Sequence, residues 1–395
     1  MKILTVHNAY RHLGGEDVSR QTYIRLLEER GHEVDSFDVS NADYSTPELV
    51  ARSPLMVYNP FARSRLKSAV ALSNPDIVHF HNTFPLLSPA VFGAAAALGR
   101  PVVFSIHNYR LFCLNACLYR EARPCQLCIG KHFPWPGLIH RCYRGSYLAS
   151  ALCSASVYAH WTMGTWSKHV DMFLPVSQFA AGKLVEAGVA PARISVHYNT
   201  VYPDPGPCYE KKGFFLFAGR LDEKKGLLDL LESWRSLQPD HVRLVIVGDG
   251  PLMRAALEAQ SQLKNLSVLG PRPQSDVSRL MGEAQAVVVP SRSFETFGRV
   301  VMEAAAKATS SVATAAGGLS EQVVDGETGI LVEAGSPLSL SRALSLLIQD
   351  PSRASTMGRN ARKRFQTNFA PDIAYTRLLS IYTRLLTRRK QASSS

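Results

Sequence analysis

Apolar residues in this chain fall in short runs separated by longer amphipathic stretches. Positions 2–6, 76–80, 102–106, 173–176 and 194–197 in the first half, and 214–218, 244–247, 266–269 and 286–290 in the second, are runs of four or five residues rich in Val, Ile, Leu and Phe. Runs of that length and composition predict strands buried on both faces. Helical spacing fills the gaps, as over 16–29, which ends at Gly31. Strand–helix alternation of this kind predicts α/β architecture with parallel, doubly wound sheets.

The chain has 395 residues, more than one hydrophobic core usually organises, so two domains are expected. The stretch 199–212, with Pro203, Pro205 and Pro207 and few apolar residues, reads as the linker. The expected division is therefore 1–200 with a Cys-rich insertion at about 110–145, a linker at 201–212, a second domain at 213–370, and a basic helix at 371–395 packing back on the first.

The chemistry concentrates in 287–318. A buried strand stops at Pro290, a loop follows, and helix formers begin after Gly298. The first-turn amides around Phe297, Gly298 and Arg299 then face the loop, a ready site for an anionic leaving group. Glu295 lies before that helix and Glu303 on its second turn. Were both helical they would stand roughly 80° apart, so the loop position of Glu295 is what lets both face one ligand. After the strand 214–218 come Gly219, Arg220, Lys224, Lys225 and Gly226, two kinds of cation and a glycine turn suited to a diphosphate. Gly14 and Gly15 after the first strand read either as a turn that lets backbone approach a ligand or as a plain flexible turn. His107 and Asn108 fall at a strand's carboxyl end, where ligands of doubly wound sheets bind.

Ser291, Glu295, Phe297, Gly298, Glu303 and Ala304, followed by the small-residue turn 315–318, resemble the donor-site motif of retaining GT-B glycosyltransferases of family 4. The G-R-L-x-x-x-K-G run from Gly219 resembles that family's diphosphate motif, and Gly14-Gly15 with the later Gly31-His32-Glu33-Val34 resembles its amino-terminal signature. The resemblance implies a GT-B fold, two Rossmann-like domains facing across a cleft. It implies Arg220 and Lys225 on the diphosphate, Glu295 on the donor sugar, Glu303 on the ribose, and His107 in donor positioning or transition-state stabilisation. One departure is that Ala308-Thr309-Ser310 stands where the family has a G-x-P turn, so this turn must differ or be strained.

Cys113, Cys117, Cys125, Cys128 and Cys142 crowd the insertion. C-x-x-C is a zinc half-site, so a structural zinc on Cys113, Cys125, Cys128 and Cys142 is one reading and buried thiols the other. Lys131, His132, Arg141 and Arg144 among Phe133, Trp135 and Tyr143 suit a lipid-pyrophosphate acceptor or are simply solvated. The stretch 147–166 reads as a mostly buried helix, with a membrane-surface helix as the alternative.

The formal charge is +12, which favours anionic partners, and no nucleic-acid motif accompanies it. The opening run is too short for a signal-peptide core and no run is long enough to span a bilayer. The expectation is a cytoplasmic enzyme, peripheral on the inner face of the cell membrane, moving sugar from a UDP- or GDP-sugar to a glycan or lipid-linked acceptor in cell-surface polysaccharide synthesis. No D-x-D occurs, and no cofactor or catalytic metal is expected. The alternatives are a sugar-nucleotide epimerase of similar fold and a non-catalytic sugar-nucleotide or lipid-binding scaffold.

Overall fold

A computed structural model describes residues 1–11 and 14–394. The chain forms two compact units. One comprises Met1–Leu118, Gln126–Tyr198 and Ala374–Ser395, the other Tyr119–Cys125 and Asn199–Ile373.

In the first unit β1 (Lys2–Ala9), β2 (Glu33–Ser40), β3 (Ile77–Asn82) and β4 (Val102–Ile106) form a parallel sheet. Two short strands, β5 (Tyr119–Arg120) and β6 (Arg123–Pro124), make an antiparallel hairpin that groups with the second unit. β7 (Met172–Pro175) completes the first sheet, whose order is β2-β1-β3-β4-β7. Because β2 and β3 flank β1, the chain reverses its direction of travel across the sheet between β1 and β3, the place where such folds open a crevice at the strand ends. Asn82 donates from Nδ2 to the Asn8 carbonyl across that point at 2.7 Å.

The run 194–197, expected as a strand, makes only one bridge, Phe173 to Ile194. Its amides at Ser195 and His197 bond to Phe173 and Pro175 at 3.0 and 2.9 Å, so it trails along the sheet edge before the chain leaves. β2 was not among the expected strands, and its alternating, half-exposed EVDSFDVS belongs to an edge strand. The closing helix, Pro371–Ser394, buries Ala374, Leu378, Ile381, Tyr382 and Leu385 against Ile3, Tyr23, Ile77 and Val103 of the first unit. Their spacing is one helical stripe.

The second unit holds β8 (Lys212–Ala218), β9 (Arg243–Val247), β10 (Leu266–Gly270), β11 (Ala284–Val289), β12 (Ser310–Thr314) and β13 (Gly329–Val332), all parallel in the order β10-β9-β8-β11-β12-β13. Alternate residues of β8 enter different cores: Phe215 and Phe217 pack with Leu230 and Trp234, Phe214 and Leu216 with Val287 and Val301. Apolar side chains on both faces explain why the strand reads as an unbroken hydrophobic run. The strand order reverses between β8 and β11, so the loops after Ala218 and Val289 border the crevice position.

Candidate functional site

Three loops meet at the carboxyl end of the second sheet, and glycines allow it. A Cβ on Gly226 would stand 1.8 Å from the Pro290 carbonyl oxygen, one on Gly248 1.8 Å from that of Gly219, and one on Gly250 2.5 Å from that of Leu221. All three also have φ in the left-handed region, at 71°, 140° and 156°. The loops are further tied by Leu221 N–H to the Asp249 carbonyl at 2.8 Å and Arg292 N–H to the Lys224 carbonyl at 2.8 Å.

On this platform Lys225 Nζ meets Glu295 Oε1 at 2.6 Å, and the Ser291 hydroxyl donates to the same oxygen at 2.7 Å. Burial pushes the Glu295 carboxyl up, but the charge and hydrogen bond of Lys225, the Ser291 hydroxyl and the Lys224 charge together hold it below the usual glutamate range. Glu295 is therefore ionised, and its backbone is fixed from behind: the Gly318 amide donates to its carbonyl at 2.8 Å, and a Cβ on Gly317 would lie 2.4 Å from that oxygen. Arg220 is 65% exposed at its side chain and stands 3.3 Å from Asp222, leaving its guanidinium accessible.

The helix after the loop is Arg299–Ala306, with Gly298 in the left-handed region at its start. Phe297 is buried edge-to-face against Phe369, so its side chain is part of the core and only its backbone borders the loop. Arg299 pairs with Glu303 at 3.1 Å. Burial raises the Glu303 carboxyl, and Arg299 and Gln274 offset part of that. The turn at Ala308-Thr309-Ser310 is strained: Ala308 has φ 57°, a region that costs an L-residue roughly 1–2 kcal/mol. It persists because Thr309 N–H bonds to the Ala304 carbonyl at 2.9 Å and the Thr309 hydroxyl to that of Met281 at 2.7 Å.

In the first unit His107 stands in a column of imidazoles. His81 Nδ1 lies 3.3 Å from His107 Nε2, the rings of His79 and His81 stack with centroids 4.3 Å apart, and His79 bonds to Tyr382 at 2.6 Å and Ser105 at 2.8 Å. Burial, then the neighbouring imidazoles, hold His79 and His81 well below the usual histidine range, so both are neutral. Asn108 donates to Glu16 Oε2 at 3.0 Å, while Glu16 Oε1 is buried without a partner. Burial pushes the Glu16 carboxyl up to about 8, the Asn108 amide offsetting only part of it.

Gly14 has extended backbone. Its φ of −119° is open to any residue and its N–H donates to Asp17 Oδ2 at 2.7 Å, with Asp17 in turn bonded to buried His7 at 2.8 Å. Its amide therefore caps its own helix. Gly15 is the first residue of that helix.

The zinc reading of the cysteines is corrected. Among the described residues no three of His, Cys, Asp and Glu stand together as a metal site requires, so Cys113, Cys125, Cys128 and Cys142 do not assemble. Cys113 instead donates to Asn115 Oδ1 at 3.0 Å and burial pushes its thiol up to about 12, which makes it a small apolar core residue.

Sequence reading missed Asp229 and Arg292. Arg292 grips the buried Asp229 carboxylate through Nε at 2.6 Å and through Nη2, anchoring the Ser291–Glu295 loop to the Leu227–Leu237 helix. The signal was there: in LLDLLESW the acid falls among core leucines, and a buried carboxylate demands a partner. Glu16 carried no such signal, since a polar residue in a first helical turn is usually solvated.

Two family models cover most of the chain: Glycosyl transferases group 1 matches residues 201–364 and Glycosyltransferase Family 4 matches 13–204. The chain belongs to these glycosyltransferases. Among curated relatives of the family, a D-inositol 3-phosphate glycosyltransferase of Corynebacterium diphtheriae is 37% identical over 177 residues, 42% of this chain and 41% of that protein. The D-rhamnosyltransferase WbpZ of Pseudomonas aeruginosa is 36% identical over 167 residues, 40% of this chain and 43% of that protein. The chain thus aligns with less than half the length of these relatives. Anabaena Alr3699/HepE, solved in complex with UDP, superimposes with a TM-score of 0.68 at 18% identity, covering 97% of this chain and 100% of that one. The fold is that of the GT-B glycosyltransferases.

Proposed function

We propose that this glycosyltransferase moves a sugar from a nucleoside-diphosphate donor, UDP- or GDP-linked, to a glycan or lipid-linked acceptor with retention at the anomeric carbon, in the synthesis of a cell-surface polysaccharide. The observation that carries the reading is the Lys225–Glu295 pair at 2.6 Å on interlocked loops at the strand-order reversal of the second sheet. A cation for a diphosphate and an ionised carboxylate for sugar hydroxyls are held there together. Arg220 supplies a second cation, and the amides at Phe297, Gly298 and Arg299 complete the stabilisation of the departing diphosphate. Glu303 takes the ribose hydroxyls in place of Arg299, and His107, held by its imidazole neighbours, is the donor-positioning residue. The similarity to a D-inositol 3-phosphate glycosyltransferase and a D-rhamnosyltransferase, and the UDP complex of Alr3699/HepE, support this reading.

The test is transfer of labelled sugar from UDP- and GDP-sugars into a lipid or glycan fraction, with and without a chelator, and NMR of the product's anomeric proton. Chelator-resistant transfer with retained configuration is expected. Interconversion of the donor without an acceptor would mark an epimerase, and donor binding with no turnover a scaffold.

A further inference from the structure

The Cys-rich insertion and the helix after it carry a surface that the transfer reading leaves unexplained. The helix Tyr147–Thr162 contains no Asp, Glu, Lys or Arg. Its inner face is fastened by polar bonds: the Ser156 hydroxyl donates to the Met56 carbonyl at 2.9 Å, His160 bonds to the Val57 carbonyl at 2.8 Å, and Trp161 Nε1 donates to the Leu111 carbonyl at 2.9 Å. Its outer face exposes Leu148, Ala155 and Tyr158, which share one stripe. Leu148 is 74% exposed, and on the helix Trp135–Ile139, which packs against this one, Trp135 is 50% and Ile139 55% exposed, one helical turn apart. Scattered exposed leucines need no explanation, but a grouped Trp, Ile, Leu and Tyr face is what partner and membrane surfaces look like.

The charge around it selects the partner. From residue 122 to residue 170 the sequence has no Asp or Glu at all, while Lys131, Arg141 and Arg144 are all exposed beside the apolar face. Lys131 Nζ lies 6.0 Å from the centre of the Trp135 ring and the Arg141 guanidinium 5.2 Å from that of Tyr147, so cations and amphipathic rings are interleaved. A protein interface would ordinarily mix both signs. An apolar wedge on a segment whose charged side chains are all cationic instead matches the boundary between acyl chains and anionic headgroups. Among the described residues no helix is long and apolar enough to cross a membrane, so the contact is one of lying on the surface.

The geometry points to this face, formed by the helices Trp135–Ile139 and Tyr147–Thr162, as the site where the protein docks on an anionic phospholipid bilayer. The inner side of the same helix adds a consequence. Cys153, Ser156 and Val157 line a largely apolar cavity that also borders His107 and Arg110. A helix is roughly 10 Å across, so docking by its outer face holds that cavity about one helix thickness from the headgroups, within reach of an acceptor whose lipid stays in the membrane. This last step rests on the transfer reading; the docking itself does not.

The experiment is flotation of the full chain with phosphatidylcholine vesicles, with and without phosphatidylglycerol, at two salt concentrations. Binding to the anionic vesicles only, weakened by salt, is expected. Trp135→Ser/Ile139→Ser/Leu148→Ser should weaken it about tenfold or more, and Lys131→Glu/Arg141→Glu/Arg144→Glu by about a hundredfold. An unchanged denaturation midpoint checks that the variants, whose changes all lie in the first unit, are folded, and UDP or GDP calorimetry is run on the same proteins. The calorimetry separates the two readings, since wild-type protein that binds no nucleotide but floats with vesicles would remove the transfer reading and leave this one. Wild-type protein that stays unbound, binds neutral vesicles equally, or is unaffected by both sets of changes overturns the proposal. So does a dimer in sedimentation velocity that the apolar substitutions dissociate, which would assign the face to a second copy of the chain.

Discussion

The two sheets end in polar clusters built on different electrical principles. In the second unit the groups are charged and matched: Lys225 with Glu295, Arg292 with Asp229, Arg299 with Glu303. In the first unit the column of His79, His81 and His107 is linked by ring stacking and imidazole hydrogen bonds, His79 and His81 are held neutral, and nearby Glu16 is pushed toward its neutral form. Matched pairs keep full charges in a partly buried place by compensating each one's loss of water, whereas an unmatched group there gives up its charge instead. A region built the first way can exchange one ion for another, a carboxylate for a phosphate, at little electrostatic cost. A region built the second way offers hydrogen bonds without repelling or attracting a charged ligand.

Unmatching the pair that holds the most deeply buried carboxylate, Asp229, should have the largest effect. Asp229→Ala leaves Arg292 without its carboxylate and frees the loop that carries Glu295, and removing one partner of a buried pair costs about 3–5 kcal/mol. A clear fall in the denaturation midpoint together with loss of transfer is expected; an unchanged midpoint would mean the pair is ornamental. Glu295→Gln tests the charge on the site itself. The loss of charge-assisted bonds, roughly 1.5–3 kcal/mol, should slow turnover about ten- to a hundredfold. Calorimetric nucleotide affinity should fall much less, and a wild-type rate would remove Glu295 from the donor site.

Arg220→Ala removes a cation that is accessible rather than buried, so the expected change is confined to ligand. Diphosphate affinity should drop by about 2 kcal/mol, near thirtyfold, with stability unmoved. Glu16→Gln probes the neutral region and should have the smallest effect. A carboxyl raised to about 8 in the fold, against a glutamate's ordinary value near 4.3 when unfolded, binds more protons folded than unfolded, so it costs stability as pH rises through that window. The substitution should flatten the pH dependence of unfolding between about pH 5 and 8 and stabilise the protein at the alkaline end. A wild-type profile that is already flat would show that Glu16 is not held neutral.

What could be read from residues alone follows from where information is local. The buried parallel strands were legible because both faces demand apolar side chains, so β8 and β11 announce themselves in a few residues. The loop position of Glu295 was legible because a strand ends at Pro290 and helix formers start after Gly298. The Lys225–Glu295 contact was not, since it joins residues 70 apart and depends on glycine-mediated contact between three loops. The cysteines misled for the same reason in reverse: a C-x-x-C spacing satisfies a zinc half-site locally, but whether Cys113 and Cys142 arrive with it is a matter of tertiary path. Residues 194–197 look like a strand locally, yet only the sheet edge decides how far pairing continues.

The glycines at 226, 248 and 250 set how this protein can diverge. Each is pressed against another loop's backbone, and nowhere could a side chain be accommodated by a small rotamer change, because the obstructing atoms are main-chain carbonyls. In a saturation library these three codons should survive only as glycine, whereas Gly14, with extended backbone and a nearest Cβ contact of 3.6 Å, should accept alanine. Donor preference in descendants of this chain is then free to drift through side chains that project from the loops, while the loops' mutual docking stays fixed.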